Sequence, residues 1–368
     1  MPSPLHDLIV SRIREKGPLT AAGFIDLALY HPEYGYYSTT ARRSGRHGDF
    51  VTSVDTGPLF GEMLAVQLGE MWRELGRPAK FDLVEAGAGN GLLMRDLLDA
   101  ARASDMNFYG ALRVTLVDRS PAARAAHGAM LGPHPDRFVR SEPDLPSHIE
   151  GVILANELLD AMPVHLAVTS GGRLQEIYIT VDGDRLREIV GELSTPRIAD
   201  FVDRAGMAPA EGVRIEAGLA AVDWLRGAAR SLRRGFLVLF DYGYDARQLA
   251  ESGGTLGSYR RHTHATDDWL RDPGERDLTA HVNLTAVRNE AKAAGLDLLG
   301  ATNQTHFLLS LGIVQRLSAS DDAQAVARRR AATSLVLPEG LGGTQQVVVF
   351  GKNAGRPALR GLSQTGLL

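Results

Sequence analysis

The chain has 368 residues, of which 44% are hydrophobic and 23% charged, so it is long and apolar enough to bury a large core. Its 40 basic and 44 acidic side chains leave a formal charge of -4, which argues against a surface built throughout for nucleic acid. There is no cysteine, which excludes disulfides, thiolate zinc sites, iron–sulfur clusters and a cysteine nucleophile.

The N-terminal region is predicted to form a helical and loop cap over residues 1–75. Leu8, Ile9 and Ile13 recur at helical spacing, and a second helical pattern runs from Leu59 to Leu75. The stretch between them lacks periodicity and is rich in aromatic, glycine and basic residues, which is typical of a functional loop. Because we find no secretory signal pattern and no apolar run of membrane-spanning length, we expect a cytoplasmic protein without a membrane span.

Strand and helix patterns alternate from Phe81 to about residue 154. This alternation predicts right-handed βαβ units and therefore a parallel sheet of the Rossmann-like α/β class. The predicted apolar strands and amphipathic helices are, in chain order, strand 81–85, helix 92–102, strand 113–118, helix 122–131 and strand 151–155.

After the third of these strands the period changes to two. Residues 164–189 contain the turn pairs Gly171-Gly172 and Asp182-Gly183, which predict an inserted antiparallel β-meander, and a polar helical region follows. We therefore expect a sheet core at 76–163 and 230–352, a substrate-facing insertion at 164–229 and a mobile tail at 353–368. Within the second part of the core, strands are predicted at 235–241 and 345–350 and a helix at 282–295, whereas the polar segment 242–280 is expected to cover a site.

A glycine-rich turn joins the first predicted strand to the first helix, in the segment Glu85-Ala-Gly-Ala-Gly-Asn-Gly91. Its glycines let a ligand lie against the backbone, and the N–H groups at the start of the helix suit a carboxylate or phosphate. A dinucleotide fingerprint needs its third glycine at position 92, which is Leu92. The pattern instead favours S-adenosylmethionine, bound by Gly87, Ala88, Gly89 and Gly91, with Glu85 engaging its amino group through water.

Acidic residues also follow the strand predicted at 113–118 and a further short strand near residue 138. Asp118 can accept hydrogen bonds from both hydroxyls of a ribose, a role that NAD enzymes share and that does not separate the two cofactors. Glu142 and Asp144 follow a short strand near Phe138-Val139, where such groups meet the adenine amine in this fold. The alternative for these two residues is a solvated acidic loop.

The segment Asn156-Glu-Leu-Leu-Asp-Ala-Met-Pro163 follows a core strand at the carboxyl edge, where open α/β sheets hold ligands. Glu157 and Asp160 are three residues apart, so one helical turn would project both from one face. Two carboxylates there can hold a cationic nitrogen or accept its proton. The alternative is a solvated helix start, since acidic residues favour first turns. Asp241, at the end of another core strand, is a candidate for the rim of the pocket.

Six segments occur in this order: Gly48-Asp-Phe-Val-Thr-Ser53, Leu59-Phe-Gly-Glu62, the glycine turn, the segment 156–163, Phe240-Asp-Tyr-Gly243 and Asp277-Leu-Thr-Ala-His-Val282. Together they resemble the MidA-like methyltransferase family, and the resemblance covers residues 20 to 352.

The resemblance implies a seven-stranded class I methyltransferase sheet with an N-terminal helical cap and an inserted antiparallel β region. It also implies that Gly48, Asp49 and Phe50 close over the cofactor and that Asn156, Glu157 and Asp160 border the methyl-transfer site. By analogy with that family, the expected substrate is an arginine of a protein, such as a subunit of respiratory complex I. Residues 254–260 depart from the family form, which leaves the role of that loop open.

Two histidine features are candidates for a chemical role. His281 could act as a base or orient the substrate, although a lone histidine is more often structural. His262 and His264 have no acidic third ligand at a convincing spacing, so no metal is expected.

Two other functions remain open. One is a non-catalytic assembly factor that binds S-adenosylmethionine, and the other is an NAD-dependent oxidoreductase, which Leu92 disfavours. The sequence predicts neither the oligomeric state nor the number of methyl groups transferred.

Overall fold

The structure is a computed structural model that describes residues 3–39, 52–260, 263–265, 268–317, 322–337 and 341–363. Its α-helices are α1 (Pro4–Lys16), α2 (Ala21–Tyr30), α3 (Tyr36–Thr39), α4 (Leu59–Glu74), α5 (Leu92–Ser104), α6 (Met106–Ala111), α7 (Pro121–Met130), α8 (Arg197–Arg204), α9 (Leu219–Ser231), α10 (Ala246–Ser252), α11 (Leu284–Ala293), α12 (Gln304–Leu311), α13 (Ala323–Val336) and α14 (Leu341–Thr344). Short 3-10 turns lie at Ser53–Thr56, Val314–Arg316 and Arg360–Leu362. Nowhere in the described ranges is a helix long and apolar enough to cross a membrane.

The strands are β1 (Leu19–Thr20), β2 (Phe81–Ala86), β3 (Leu112–Val117), β4 (Phe138–Glu142), β5 (Ile149–Asn156), β6 (His165–Ser170), β7 (Arg173–Asp182), β8 (Arg185–Gly191), β9 (Arg214–Ala217), β10 (Leu232–Tyr244), β11 (Gly257–Arg260), β12 (Thr263–Ala265), β13 (Asp277–Thr279), β14 (Val282–Asn283), β15 (Asp297–Asn303) and β16 (Gln345–Lys352).

Internal contacts group the chain into two units. The first unit comprises Met1–Arg43, Leu159–Arg226 and Gly243–Glu290, and the second comprises Ser44–Leu158, Gly227–Tyr242 and Ala291–Leu368. The four-part division into cap, core, insertion and tail stays a prediction.

The second unit contains the main sheet, in the strand order β15-β16-β10-β5-β2-β3-β4. The five strands from β10 to β4 pair in parallel, whereas β16 runs antiparallel to both β10 and β15. Strands β2, β3 and β5 are almost completely buried and mostly apolar, as expected where helices cover both faces of a parallel sheet. The predicted seven-stranded Rossmann-like sheet is confirmed.

Helices pack against this sheet through large apolar side chains. Phe240 of β10 meets Phe60 of α4 and Phe307 of α12 edge to face, with ring centroids 5.4 and 5.2 Å apart. All three rings are fully buried, and truncating such a ring to alanine typically costs about 3–5 kcal/mol. This packing fixes the part of β10 that leads into Asp241.

The first unit contains two antiparallel sheets. The predicted meander is confirmed as β6, β7 and β8, and β1 and β9 join its edges although neither was predicted. Segment 242–280, for which no elements were predicted, contains α10 and the small sheet β12-β11-β13. Strands of three or four residues are too short to show a recognisable alternation in sequence.

The end of the described chain is held against the second unit's own helices. The N–H of Gly361 donates to Gln67 Oε1 at 2.8 Å, and that of Arg360 donates to Glu70 Oε2 at 3.0 Å. Leu359 is 3% exposed. A buried leucine and two backbone hydrogen bonds thus hold residues 359–361, and the mobile tail expected at 353–368 stays a prediction. Residues 364–368 lie outside the described residues.

Candidate functional site

The glycine turn separates β2 from α5 and uses left-handed backbone at each of its glycines. Gly87, Gly89 and Gly91 have φ values of 72°, 54° and 80°, which only glycine adopts without strain. A Cβ atom on Gly87 would lie 2.9 Å from Leu158 Cδ1, whereas one on Gly89 would meet no atom of the described chain within 4 Å. A side chain on Gly87 would thus require Leu158 to shift, while Gly89 leaves its backbone open to a ligand.

The backbone amides of this turn are largely committed to bonds within the protein. Gly87 and Ala88 both donate to the carbonyl of Val117, at 2.8 and 3.1 Å, and Gly91 donates to the carbonyl of Ala88 at 2.8 Å. The expectation that these amides await a ligand carboxylate therefore needs correction, because the end of β3 already accepts two of them. The turn contributes its shape and its lack of side chains.

Asp118 holds the turn from the neighbouring strand. Its carboxylate accepts from the N–H of Gly89 at 2.9 Å and from the N–H of Ser120 at 2.8 Å. Burial raises the pKa of Asp118, while these two N–H donors oppose that rise. Each carboxylate oxygen can accept more than one hydrogen bond, so the group keeps capacity for ribose hydroxyls.

His127 on α7 is a residue of this region that sequence reasoning missed. Its Nε2 lies 2.9 Å from the carbonyl oxygen of Gly89, and its Nδ1 lies 2.8 Å from Ser141 Oγ. The side chain is fully buried, and burial lowers the pKa of His127, which favours the neutral ring. A neutral ring can donate from Nε2 to Gly89 and accept at Nδ1 from Ser141. The sequence carried no signal for this role beyond a histidine inside a predicted helix.

Glu85, one residue before the end of β2, is a buried acid with an unsatisfied oxygen. It is 3% exposed, and its Oε2 has no hydrogen-bond partner among the described residues. Burial, and secondarily the charge of Asp118, raises the pKa of Glu85 to about 8. A buried polar atom without a partner is costly, so this carboxyl group is suited to a ligand that donates a hydrogen bond.

Asn156 and Glu157 lie where β5 ends. The Oδ1 atom of Asn156 is buried and has no partner in the described part of the chain. Glu157 has φ +52°, and its N–H donates to the carbonyl of Phe240 at 2.8 Å. The predicted helical turn from Glu157 to Asp160 was wrong, because a left-handed residue cannot belong to a right-handed helix and this N–H is bound to β10.

Two polar residues support this end of β5. Asp241, 4% exposed, accepts from the N–H of Leu158 at 3.2 Å, and its other oxygen accepts from the N–H of Tyr242 at 3.0 Å. The side chain of Gln345 donates from Nε2 to Glu157 Oε1 at 3.2 Å. Asp241 was predicted as the last residue of the strand 235–241 and lies within β10, whereas Gln345, the first residue of β16, was not predicted.

Asp160 and His281 belong to the first unit. Asp160 is 7% exposed, and its carbonyl accepts from the N–H of Ala280 at 3.0 Å. In the same unit the hydroxyl of Tyr37 donates to Asp277 Oδ1 at 2.8 Å, and burial, followed by the charges of Asp277 and other neighbours, raises the pKa of Tyr37. The catalytic role expected of Asp160 stays a prediction.

The backbone of His281 is held by Thr255, whose Oγ1 accepts from the His281 N–H at 2.9 Å. Its ring packs edge to face on Tyr244, with centroids 5.0 Å apart. Both contacts lie within the first unit, and the expected role as a base or orienting group stays a prediction.

The remaining expected cofactor residues fall at the edge of the sheet or outside the described chain. Glu142 ends β4, and its carbonyl accepts from the N–H of Asp118 at 3.1 Å, whereas Asp144 is exposed on the following loop. Gly48, Asp49 and Phe50 lie outside the described residues. The adenine and lid roles stay predictions.

Comparison with known proteins gives a family match and close structural neighbours. A family model described as an S-adenosyl-L-methionine-dependent methyltransferase matches residues 63–302. The chain is 28% identical to the mitochondrial protein arginine methyltransferase NDUFAF7 of Bos taurus over 86% of this chain and 75% of that one. It is also 28% identical to the mitochondrial homologue in Drosophila melanogaster, over 82% and 74%.

A solved COG1565 superfamily structure from Burkholderia thailandensis, bound to S-adenosyl-homocysteine, has a TM-score of 0.88 and 29% identity. The match covers 99% of this chain and 97% of that one. A second crystal structure of a COG1565 protein from the same organism has a TM-score of 0.87 and 28% identity.

The expectation of a cytoplasmic protein is contradicted, because the relatives from cattle, fly and nematode are all named mitochondrial. The length of apolar runs reports on membrane spans and carries no information about the compartment.

Proposed function

The chain belongs to a family of S-adenosyl-L-methionine-dependent methyltransferases, and on that premise we propose that it methylates arginine in a protein substrate. It is a methyltransferase, and S-adenosylmethionine is its cofactor, so the cofactor expected from the early third glycine is confirmed. The arginine acceptor is supported by relatives named protein arginine methyltransferases that match 86% of the chain.

The residues of the second unit fit this cofactor. The unpartnered Oε2 of Glu85 suits its amino group, Asp118 suits the ribose hydroxyls, and Gly89 leaves room for it against the backbone. Glu142 or Asp144 would meet the adenine amine. When bound, the cofactor supplies an electrophilic methyl group on a sulfonium.

The observation that carries the acceptor assignment is the placement of Glu157. A guanidinium is a planar cation that is recognised by carboxylate and amide oxygens. The Glu157 carboxylate is half-buried and held by Gln345, and the neighbouring Asn156 has a buried oxygen that needs a donor. Glu157 and Asn156 would therefore hold the guanidinium and orient one of its nitrogens. We propose the same role for Asp160.

The same carboxylates give the reaction a proton acceptor. A guanidinium nitrogen that gains a methyl group gives up one proton, and a neighbouring carboxylate can receive it and pass it to water. Either Glu157 or Asp160 could take this proton, and His281 is a further candidate base. The negative charge of Glu157 would also attract the guanidinium cation to the site.

A subunit of respiratory complex I is the protein substrate that the family resemblance favours. The relatives that match most of this chain are named mitochondrial, which agrees with a substrate in the respiratory chain.

The proposed function is tested by mass spectrometry of methylarginine in proteins from a strain that lacks this gene. We expect a methylarginine site to disappear on deletion, to return with the wild-type gene and to stay absent with Glu157→Gln. Glu74→Gln, which removes a charge from an exposed position of α4, should restore it like wild type. A methylarginine pattern unchanged by deletion would contradict the proposal, and so would its full restoration by Glu157→Gln.

A further inference from the structure

We propose that Gln345 is a positioning residue that fixes the carboxylate of Glu157, and that Ser53 holds Gln345 in the orientation this requires. The inference rests on the proposed function only in what Glu157 binds; the arrangement itself is given by contacts within the second unit. Gln345 and Ser53 are both 0% exposed, so neither reaches a substrate directly.

Gln345 is placed for this role by the sheet. It is the first residue of β16 and pairs with Tyr242 of β10, the strand whose Phe240 carbonyl accepts the N–H of Glu157. Backbone and side chain of Glu157 are thus held by two adjacent strands, through Phe240 at 2.8 Å and Gln345 Nε2 at 3.2 Å.

Ser53 and the Glu157 carboxylate together determine which end of the Gln345 amide faces Glu157. Its hydroxyl donates to Gln345 Oε1 at 3.1 Å and to Gln304 Oε1 at 2.9 Å, so one proton is shared between two amide oxygens. With Oε1 of Gln345 engaged by Ser53, its Nε2 points to Glu157. The flipped amide would instead set its oxygen against the carboxylate oxygen of Glu157, which is repulsive when Glu157 is ionised.

The far end of this network is anchored on the backbone. Gln304 Nε2 donates to the carbonyl of Leu335 at 3.1 Å, and a carbonyl can only accept. This contact fixes the amide of Gln304, presents its oxygen to Ser53 and makes the Ser53 hydroxyl the donor. Orientation therefore passes from Leu335 to Glu157 through three fully buried side chains.

Such a network reduces the freedom of a flexible acid before any substrate arrives. A free glutamate side chain samples several rotamers, whereas Glu157 stands on a left-handed backbone, φ +52°, with one oxygen bound to Gln345. A group held in its working geometry does not have to be ordered in the transition state. Removing Gln345 should therefore lower kcat while leaving cofactor binding intact.

A double-mutant cycle on the full chain tests this role, with tritiated S-adenosylmethionine and an arginine-containing protein acceptor. We expect Gln345→Met to lower kcat about tenfold and to leave the Kd for S-adenosylmethionine within about twofold. The double variant Gln345→Met/Glu157→Gln should be as slow as Glu157→Gln alone, because Gln345 acts through Glu157. Losses that multiply would overturn the inference.

The matched control is Gln67→Met, which removes another buried amide of the same unit, one that contacts Glu70 and Gly361 instead. Its kcat should stay within about twofold of wild type even if its Tm falls as far as that of Gln345→Met. An equal loss of kcat in both variants would mean that only packing is affected, and would overturn the inference.

A second readout does not depend on any methyl acceptor. In protein labelled with ¹³C at glutamate carboxyls, the Glu157 signal is the one missing from Glu157→Gln. Loss of the Gln345 donor should raise the pKa of Glu157 by about half a unit or more, and Gln67→Met should leave it unmoved. An unmoved titration in Gln345→Met would overturn the inference. A shifted titration together with no methyl transfer to arginine would support it and overturn the proposed function instead.

Discussion

The carboxylate of Asp118 accepts a hydrogen bond from the backbone N–H of Gly89 at 2.9 Å. The acid expected to hold the ribose therefore also holds the glycine turn that lies beside the cofactor. Because β2 and β3 pair in parallel, their carboxyl ends meet at one edge of the sheet, and the contact joins the two halves of the proposed cofactor site.

Replacing Asp118 should weaken cofactor binding by more than the loss of one contact. Asp118→Ala removes the proposed ribose acceptor and releases Gly89, so we expect the Kd for S-adenosylmethionine to rise at least about tenfold by calorimetry. Asp118→Asn should fall between this variant and wild type. Asp136→Asn, at an exposed position, is the control. Unchanged affinity in Asp118→Ala would remove Asp118 from the site.

The two glycines Gly87 and Gly89 should respond differently to valine. Both have positive φ, so each variant carries backbone strain of about 1–2 kcal/mol. Gly87→Val should unfold at clearly lower temperature, because its new Cβ would overlap Leu158, whereas Gly89→Val should lose cofactor affinity with a smaller loss of Tm. Thermal unfolding and calorimetry on the same samples separate the two effects. Wild-type affinity in Gly89→Val would contradict the proposed site.

Cofactor binding should release a proton from Glu85. With the pKa of Glu85 at about 8 in the free protein, the group is mostly protonated at pH 7. A bound ammonium favours the ionised form, so binding at pH 7 should release up to about one proton. Calorimetry in buffers of different ionisation enthalpy measures this number. Glu85→Gln should release less, and equal proton release in the two proteins would argue against Glu85 as the partner of the amino group.

Glu85 should also make the free protein less stable as the pH rises. Its folded pKa of about 8 lies above the ordinary value of 4.5, so the folded state prefers the protonated form. The raised pKa of Glu85 contributes fully to the free energy of unfolding below pH 4.5, and this contribution is lost as the pH rises to 8. The change is on the order of a few kcal/mol. Urea unfolding of wild type and Glu85→Gln should be measured at pH 5, 7 and 8. The free energy of unfolding of Glu85→Gln, relative to that of wild type, should increase with pH. A constant difference would mean that Glu85 is not desolvated.

Most strands of the main sheet and the glycine turn could be predicted because both leave local signals. Buried parallel strands are apolar runs, and the turn needs glycine at positions of left-handed backbone. Helices α12 and α13 were not predicted. The buried side of α13 consists of Ala325, Ala331, Ala332 and Leu335, and a side made mostly of alanine gives a weak apolar stripe.

The network behind Glu157 could not be predicted for a different reason. Ser53 lies 251 residues from Gln304 and 292 residues from Gln345 along the chain, so no spacing rule connects them. Hydrophobic periodicity identifies only the apolar side chains that a strand buries. It gives no signal for Gln345, a buried polar residue at the first position of β16. Ser53 did stand in a segment that the family resemblance singled out, but nothing there indicated its partner.

The most direct test of methyl transfer to arginine is an in vitro assay with methyl-tritiated S-adenosylmethionine, a protein extract from the deletion strain and the purified chain. After acid hydrolysis, we expect the transferred radioactivity to elute with methylarginine, and Glu157→Gln to reduce it at least about tenfold relative to Glu74→Gln. Radioactivity in another amino acid, or equal transfer by both variants, would contradict the account.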